Sequence, residues 1–188
     1  MNKITVAAAL ALAVVVPAVA QQAPQPPPTV AAFVRARYTG RKNEIVRAAE
    51  KMPEEFYGLR PGPQMEVRTF GQHLAHIATF NFLWCSEAKG EKNPNAGVNL
   101  EKTLTTKAEF LKALGDSYSY CDSVYGALTD ASGAEVLTIT QESGRQVQLL
   151  RMGLLILNLG HNDEVYGSMV TTMRIKSIVP PASEPRPR

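Results

Sequence analysis

Three histidines and two cysteines are the residues of this chain best suited to chemistry: His73, His76, His161, Cys85 and Cys121. Any histidine metal site must draw on those three imidazoles. Neutral imidazole is the commonest protein metal ligand, and a catalytic zinc takes three protein ligands and keeps one position open for water. His73 and His76 are three residues apart, which on a helix makes them neighbours on adjoining faces. His161 shares a helical face with Leu150, Leu154, Leu157 and Val165. Two helices carrying every histidine of the chain could converge on one ion. The same spacing also suits partly buried, hydrogen-bonded histidines of a helical core, and both readings stay open at this point.

Other chemistry is not encoded in recognisable form. There is no P-loop, no dinucleotide-binding glycine pattern and no nucleophile elbow. Ser168 beside His161 lacks the acid that a triad needs. Trp84 and the tyrosines read as packing residues. The 188 residues carry 20 Lys and Arg against 17 Asp and Glu, a net +3. That excess is too small to form the concentrated basic face of a nucleic-acid binder, so no nucleic-acid partner is expected.

The elements that must position these residues follow from the apolar pattern. Residues 1–20 read as a signal peptide: Lys3, an uncharged run from Ile4 to Val16, and Ala18-Val19-Ala20 as a small-x-small cleavage site. Cleavage leaves no stable membrane anchor and sends the protein to an oxidising compartment, periplasmic or secreted. Residues 21–29 form a Pro-rich spacer, and 180–188 read as a disordered tail. Between them, residues 30–179 predict four helices: Val30 to Met52 with Pro53 as its limit, Thr69 to Ala88, a third from Thr105 or Thr106, and Val147 to Lys176. Glu109, three residues after Thr106, predicts a capping box. Val136 to Thr140 could be a short strand, and Leu149 to Leu159 is apolar nearly all round, which predicts burial. The fold class expected is all-α, a four-helix bundle.

Several segments resemble one family in order and spacing. Gly71-Gln72-His73-Leu74-Ala75-His76-Ile77-Ala78 with Phe82-Leu83-Trp84-Cys85 is similar to the second helix of the DinB-like (DinB/YfiT-like, damage-inducible) superfamily. Asn158 to Gly167 leading into Arg174 to Pro181 resembles its fourth helix, and Ala48 to Glu55 with Leu59-Arg60-Pro61 its first helix and following loop. The resemblance spans about Phe33 to Glu184. It implies an up-down-down-up bundle with a divalent metal at its centre, held by one histidine of the second helix and an H-x-x-x-H pair of the fourth. Those positions are His76, His161 and Val165. Valine has no donor atom, so the triad is incomplete. Three outcomes compete: His73 supplies the third ligand, Glu164 supplies an oxygen, or the metal (Zn, Ni or Mn) is lost.

The resemblance implies a metal- and thiol-dependent transferase or a hydrolase-like activity on a small-molecule or thiol substrate, and is compatible with a homodimer. The alternative is a non-catalytic bundle with a degenerate metal site, acting as a binding or structural module. No catalytic residue is assigned. The two cysteines of an exported chain are read first as one disulfide, Cys85 to Cys121.

Overall fold

A computed structural model describes residues 28–185 apart from 142; the expected leader and nearly all of the Pro-rich spacer lie outside the described residues. Helix α1 (Val30–Lys51) begins where the Thr29 side chain accepts a hydrogen bond from the Ala32 N–H, so Thr29 is a cap and not spacer. Helix α2 (Phe70–Lys89) opens on a reciprocal Thr69–Gln72 capping box and stops at Gly90, whose φ of 72° suits a residue without a Cβ. A single turn, α3 (Leu100–Thr103), interrupts the connection to α4 (Lys107–Gly126), which Thr106 and Glu109 cap as their spacing predicts. A second single turn, α5 (Asp130–Gly133), precedes strands β1 (Val136–Thr140) and β2 (Gln146–Leu150) and the last long helix, α6 (Arg151–Ile175).

Side-chain pairings fix the directions of the four long helices. Along α1, Tyr38 bonds Asp122 and the amine of Lys107 reaches the carbonyls of Glu50 and Met52, so α1 and α4 run antiparallel. On α2, Gly71 faces Phe110 and Cys85 is bonded to Cys121, so α2 and α4 run parallel. Ala88 meets Arg151 while Asn81 meets Asn158 and Asn162, which sets α6 antiparallel to α2. The result is an up-down-down-up bundle. Each of α1 and α2 packs against both α4 and α6, around a core that includes Ile45, Leu74, Ile77, Leu114, Tyr118, Leu155 and Met169. The Cys85–Cys121 disulfide joins the parallel pair with its Cα atoms 5.4 Å apart, matching the pairing expected of two cysteines in an exported chain.

Three expectations need correction. The fourth helix was expected from Val147, but it begins at Arg151. Val147 and Leu149 alternate with Gln146 and Gln148, and that period of two pairs residues 146–150 with residues 136–140 as an antiparallel hairpin, Val136 opposite Leu150. Val136 to Thr140 is accordingly a strand. Secondly, the apolar run from Leu149 to Leu159 is not buried throughout: Leu150, Ile156 and Leu157 are each about half exposed. Thirdly, the tail does not come loose at Pro180. Pro180 and Pro181 are buried, Pro181–Ser183 form a 3₁₀ turn, the Ala182 N–H donates to Tyr166, and Glu184 pairs with Lys51 (2.7 Å) and Arg47 of α1. Proline pre-sets the φ that such a turn needs. Residues 186–188 lie outside the described residues.

Candidate ligand cleft and histidine pair

Register between α2 and α6 is set by a buried polar layer. Asn81 Oδ1 accepts from Asn158 Nδ2 and from Asn162 Nδ2, both at 3.0 Å, and Asn81 Nδ2 donates to Ser117 Oγ at 3.2 Å. Tyr125 Oη donates to Asn158 Oδ1 at 2.8 Å. All four Asn and Ser side chains have at most 1% of their surface exposed. A buried amide left unpaired costs about 1–3 kcal/mol, so sliding one helix past the other is resisted here. Asn162 is the neighbour of His161, and Asn81 lies little more than one turn beyond His76. The layer therefore holds His161 opposite His76.

The two imidazoles face each other with ring centroids 4.8 Å apart. Phe80 packs on both, at 4.7 Å from His76 and 4.6 Å from His161, and Trp84 meets His161 edge-on at 5.1 Å. His76 Nδ1 lies 2.6 Å from Glu101 Oε1, and Arg68 Nε donates to Glu101 Oε2 at 2.8 Å. Burial works against ionisation of Glu101, but the hydrogen bonds from Arg68 and His76 outweigh it and hold the carboxyl below its ordinary range. Burial pulls the His76 pKa down, more than its bond to Glu101 raises it. Burial also pulls His161 down to about 4, and both of its ring nitrogens are buried without a hydrogen-bond partner among the described residues.

His73 and Glu164 do not join this pair. His73 is buried on α2, neither of its ring nitrogens has a hydrogen-bond partner among the described residues, and burial brings its pKa to about 4. Glu164 is exposed on α6, and its charge acts on His76 only from a distance. Val165 is buried, four residues after His161. Among the described residues, no three His, Cys, Asp or Glu side chains converge as a metal-holding group. Two donors are therefore arranged for an ion: His76, whose Nδ1–H is oriented by a carboxylate in the manner of a metal-ligating histidine, and the orphaned imidazole of His161. They do not fit a centre that needs three protein ligands.

Above His76 opens a cleft of about 1070 Å³, at the upper end of small-molecule sites. One wall is the face of α2 that carries Phe80, Leu83 and Trp84; Leu154 and Leu157 of α6 lie across it. The hairpin, through Ile139, Val147 and Leu149, and the 93–99 loop flank the mouth. Leu157 thus escapes burial because it lines the cleft, and Trp84 is part of a ligand-sized surface as well as a packing residue. Arg68 and Glu101 are the site residues that sequence reasoning missed. Arg68 lies just before α2 and Glu101 within the single turn α3, where no periodicity connects them to His76; the one local signal is the Asn99 cap that starts α3.

A family model described as the DinB superfamily matches residues 37–161. Among solved structures, a conserved protein from Enterococcus faecalis is similar at a TM-score of 0.61 and 12% identity, over 79% of this chain and 98% of that one. A DinB-like protein from Bacillus subtilis is similar at a TM-score of 0.57 and 16% identity, over 77% of this chain and 92% of that one. At such identities the likeness is one of fold. No curated protein matches.

Proposed function

The chain belongs to the DinB superfamily, and from that premise we propose that it is an exported binding bundle whose working site is the aromatic-walled cleft, taking a small organic molecule over His76 and Glu101. The observation that supports this reading most directly is the cleft itself. Its volume suits a small-molecule site, and its lining combines apolar side chains of α2, α6 and the hairpin with about as many polar ones, His76 and Glu101 among them. Export is supported by the leader pattern of residues 1–20 and by the Cys85–Cys121 bond. The exported protein should begin at Gln21, which N-terminal sequencing reads directly.

The test uses the neutral fluorophore N-phenyl-1-naphthylamine. Trp84 is the sole tryptophan of the chain, so energy transfer from it reports a probe in the cleft. Saturable binding with transfer from Trp84, weakened by Leu157→Arg on the half-exposed wall, is the expected result. Non-saturable binding, or binding that Leu157→Arg leaves unchanged, overturns the proposal.

A second reading retains a divalent ion (Zn, Ni or Mn) on His76 and His161, with a thiol substrate as third donor in a transferase or hydrolase-like reaction. The unpaired nitrogens of His161 and the Glu101–His76 bond favour it. When bound, such an ion supplies Lewis-acid activation of a thiol or water. Titration with Zn²⁺ with and without a small thiol tests it: binding that depends on the thiol and is lost in His161→Ala supports this reading, and its absence removes it.

A further inference from the structure

Among the described residues, the charged ones lining the cleft are Arg68, Glu87 and Glu101. Arg68 and Glu101 neutralise each other through their ion pair, which also engages His76. Glu87 is different. Among the described residues no cation pairs with it, and its pKa is raised by burial alone. The cleft therefore carries an uncompensated carboxylate although the chain as a whole is net +3. Glu87 follows Trp84 by one helical turn, which places the two on adjoining positions of the same helix face. Phe80 continues that face, its ring centroid 4.9 Å from that of Trp84. An aromatic face carries a negative quadrupole that attracts organic cations, and a nearby carboxylate adds to it. Both sit toward the C-terminal end of α2, where the helix dipole also favours positive charge.

We infer that the cleft selects organic cations: amphiphilic amines or quaternary ammonium compounds whose charged head lies between Trp84 and Glu87 and whose apolar body runs along Leu83, Leu154 and Leu157. The inference rests on the proposed reading of the cleft as a ligand site and adds the ligand class. Charge complementarity carries it. A neutral or anionic ligand would leave Glu87 half-buried and unpaired, and an anion would also meet it as a like charge.

Displacement of N-phenyl-1-naphthylamine from the wild-type protein separates the cases. The competitors are benzyltrimethylammonium, benzyl alcohol and phenylacetate, which share one ring and differ in charge. The cation is expected to displace the probe at roughly tenfold lower concentration than the other two, equivalent to about 1.4 kcal/mol. Glu87→Gln, which keeps the shape of the side chain, should abolish that advantage, read as the ratio of cation to alcohol potency within each protein so that any change in probe affinity cancels. In the wild type, raising the salt to about 0.5 M should also shrink it, because exposed parts of the interaction are screened. If the probe binds but the cation is no better than the alcohol, or keeps its advantage in Glu87→Gln, the inference fails and the ligand-site reading stands. If neither the probe nor the cation, titrated directly against Trp84 emission, shows saturable binding, both fail.

Discussion

Val165→His would place an imidazole one turn beyond His161 on the face of α6 that packs into the bundle. Val165 is 6% exposed, so the new ring nitrogens would be largely cut off from solvent. Unpaired, they should cost about 1–3 kcal/mol. For a chain of this size each kcal/mol lowers the melting temperature by about 2–4 °C, so the metal-free variant should melt about 2–12 °C below wild type. Zn²⁺ should reverse the loss, because three imidazoles would then be available where the natural chain offers two. At a free Zn²⁺ concentration a hundredfold above the dissociation constant, linkage returns about 2.7 kcal/mol. Thermal melts with and without Zn²⁺, alongside calorimetric titration, read both parts. The reasoning requires His76 and His161 to contribute. It is refuted if Zn²⁺ does not raise the melting temperature of the variant, or if it does so equally when both are changed to alanine.

Further expectations concern the scaffold. Replacing Cys85 and Cys121 by alanine opens a cross-link spanning 36 residues and should cost about 4 kcal/mol in the chain-entropy model, measurable as a lower denaturant midpoint; in the native, unreduced protein no thiol should react with an alkylating agent after denaturation. A Cβ at Gly71 would lie 2.6 Å from the Phe110 ring, so Gly71→Ala should destabilise by about 1–3 kcal/mol, and an unchanged midpoint would show that the ring moves freely aside. Burial holds His73 and His161 near pKa 4 in the folded chain against 6.5 when free. Between those values the unfolded chain binds protons that the native state does not, so stability is complete above about pH 6.5 and falls as the pH drops toward about 4. Urea midpoints at neutral and acidic pH should show this decline, and His73→Phe should make it shallower.

The elements whose signals are local were legible in the sequence. Thr69 and Thr106 stand at helix starts because their hydroxyls cap N–H groups only three residues away, and the stripe the sequence shows on α2, Phe70, Leu74, Ile77, Asn81 and Trp84, is buried as far as Asn81, while Trp84 is only partly buried. The hairpin was half legible: residues 136–140 read as extended, but their partner strand continues into a helix without a break in hydrophobicity, and the alternation over four residues was absorbed into the helical pattern. Part of the candidate site was out of reach for a related reason. His76 and His161 could be paired through the family resemblance, whereas Glu101 reaches His76 across 25 residues from a single turn whose placement depends on the whole bundle. Glu87 reads in sequence as one more solvent-facing carboxylate; only the fold shows that it lines a cleft and that no cation among the described residues pairs with it.

Asn81 has a consequence for the order of assembly. Its partners come from α4, 36 residues away, and from α6, 77 and 81 residues away. Until both helices have docked, the amide keeps its water, because drying it earlier would bury an unpaired group. A partly folded chain made of α1, α2 and α4 can collapse but cannot expel solvent from its middle layer. Docking of α6, the last long helix in the chain, is then the step that dries the interior, and it sets His161 against His76 as it does so. Interior packing and formation of the histidine pair become a single cooperative event.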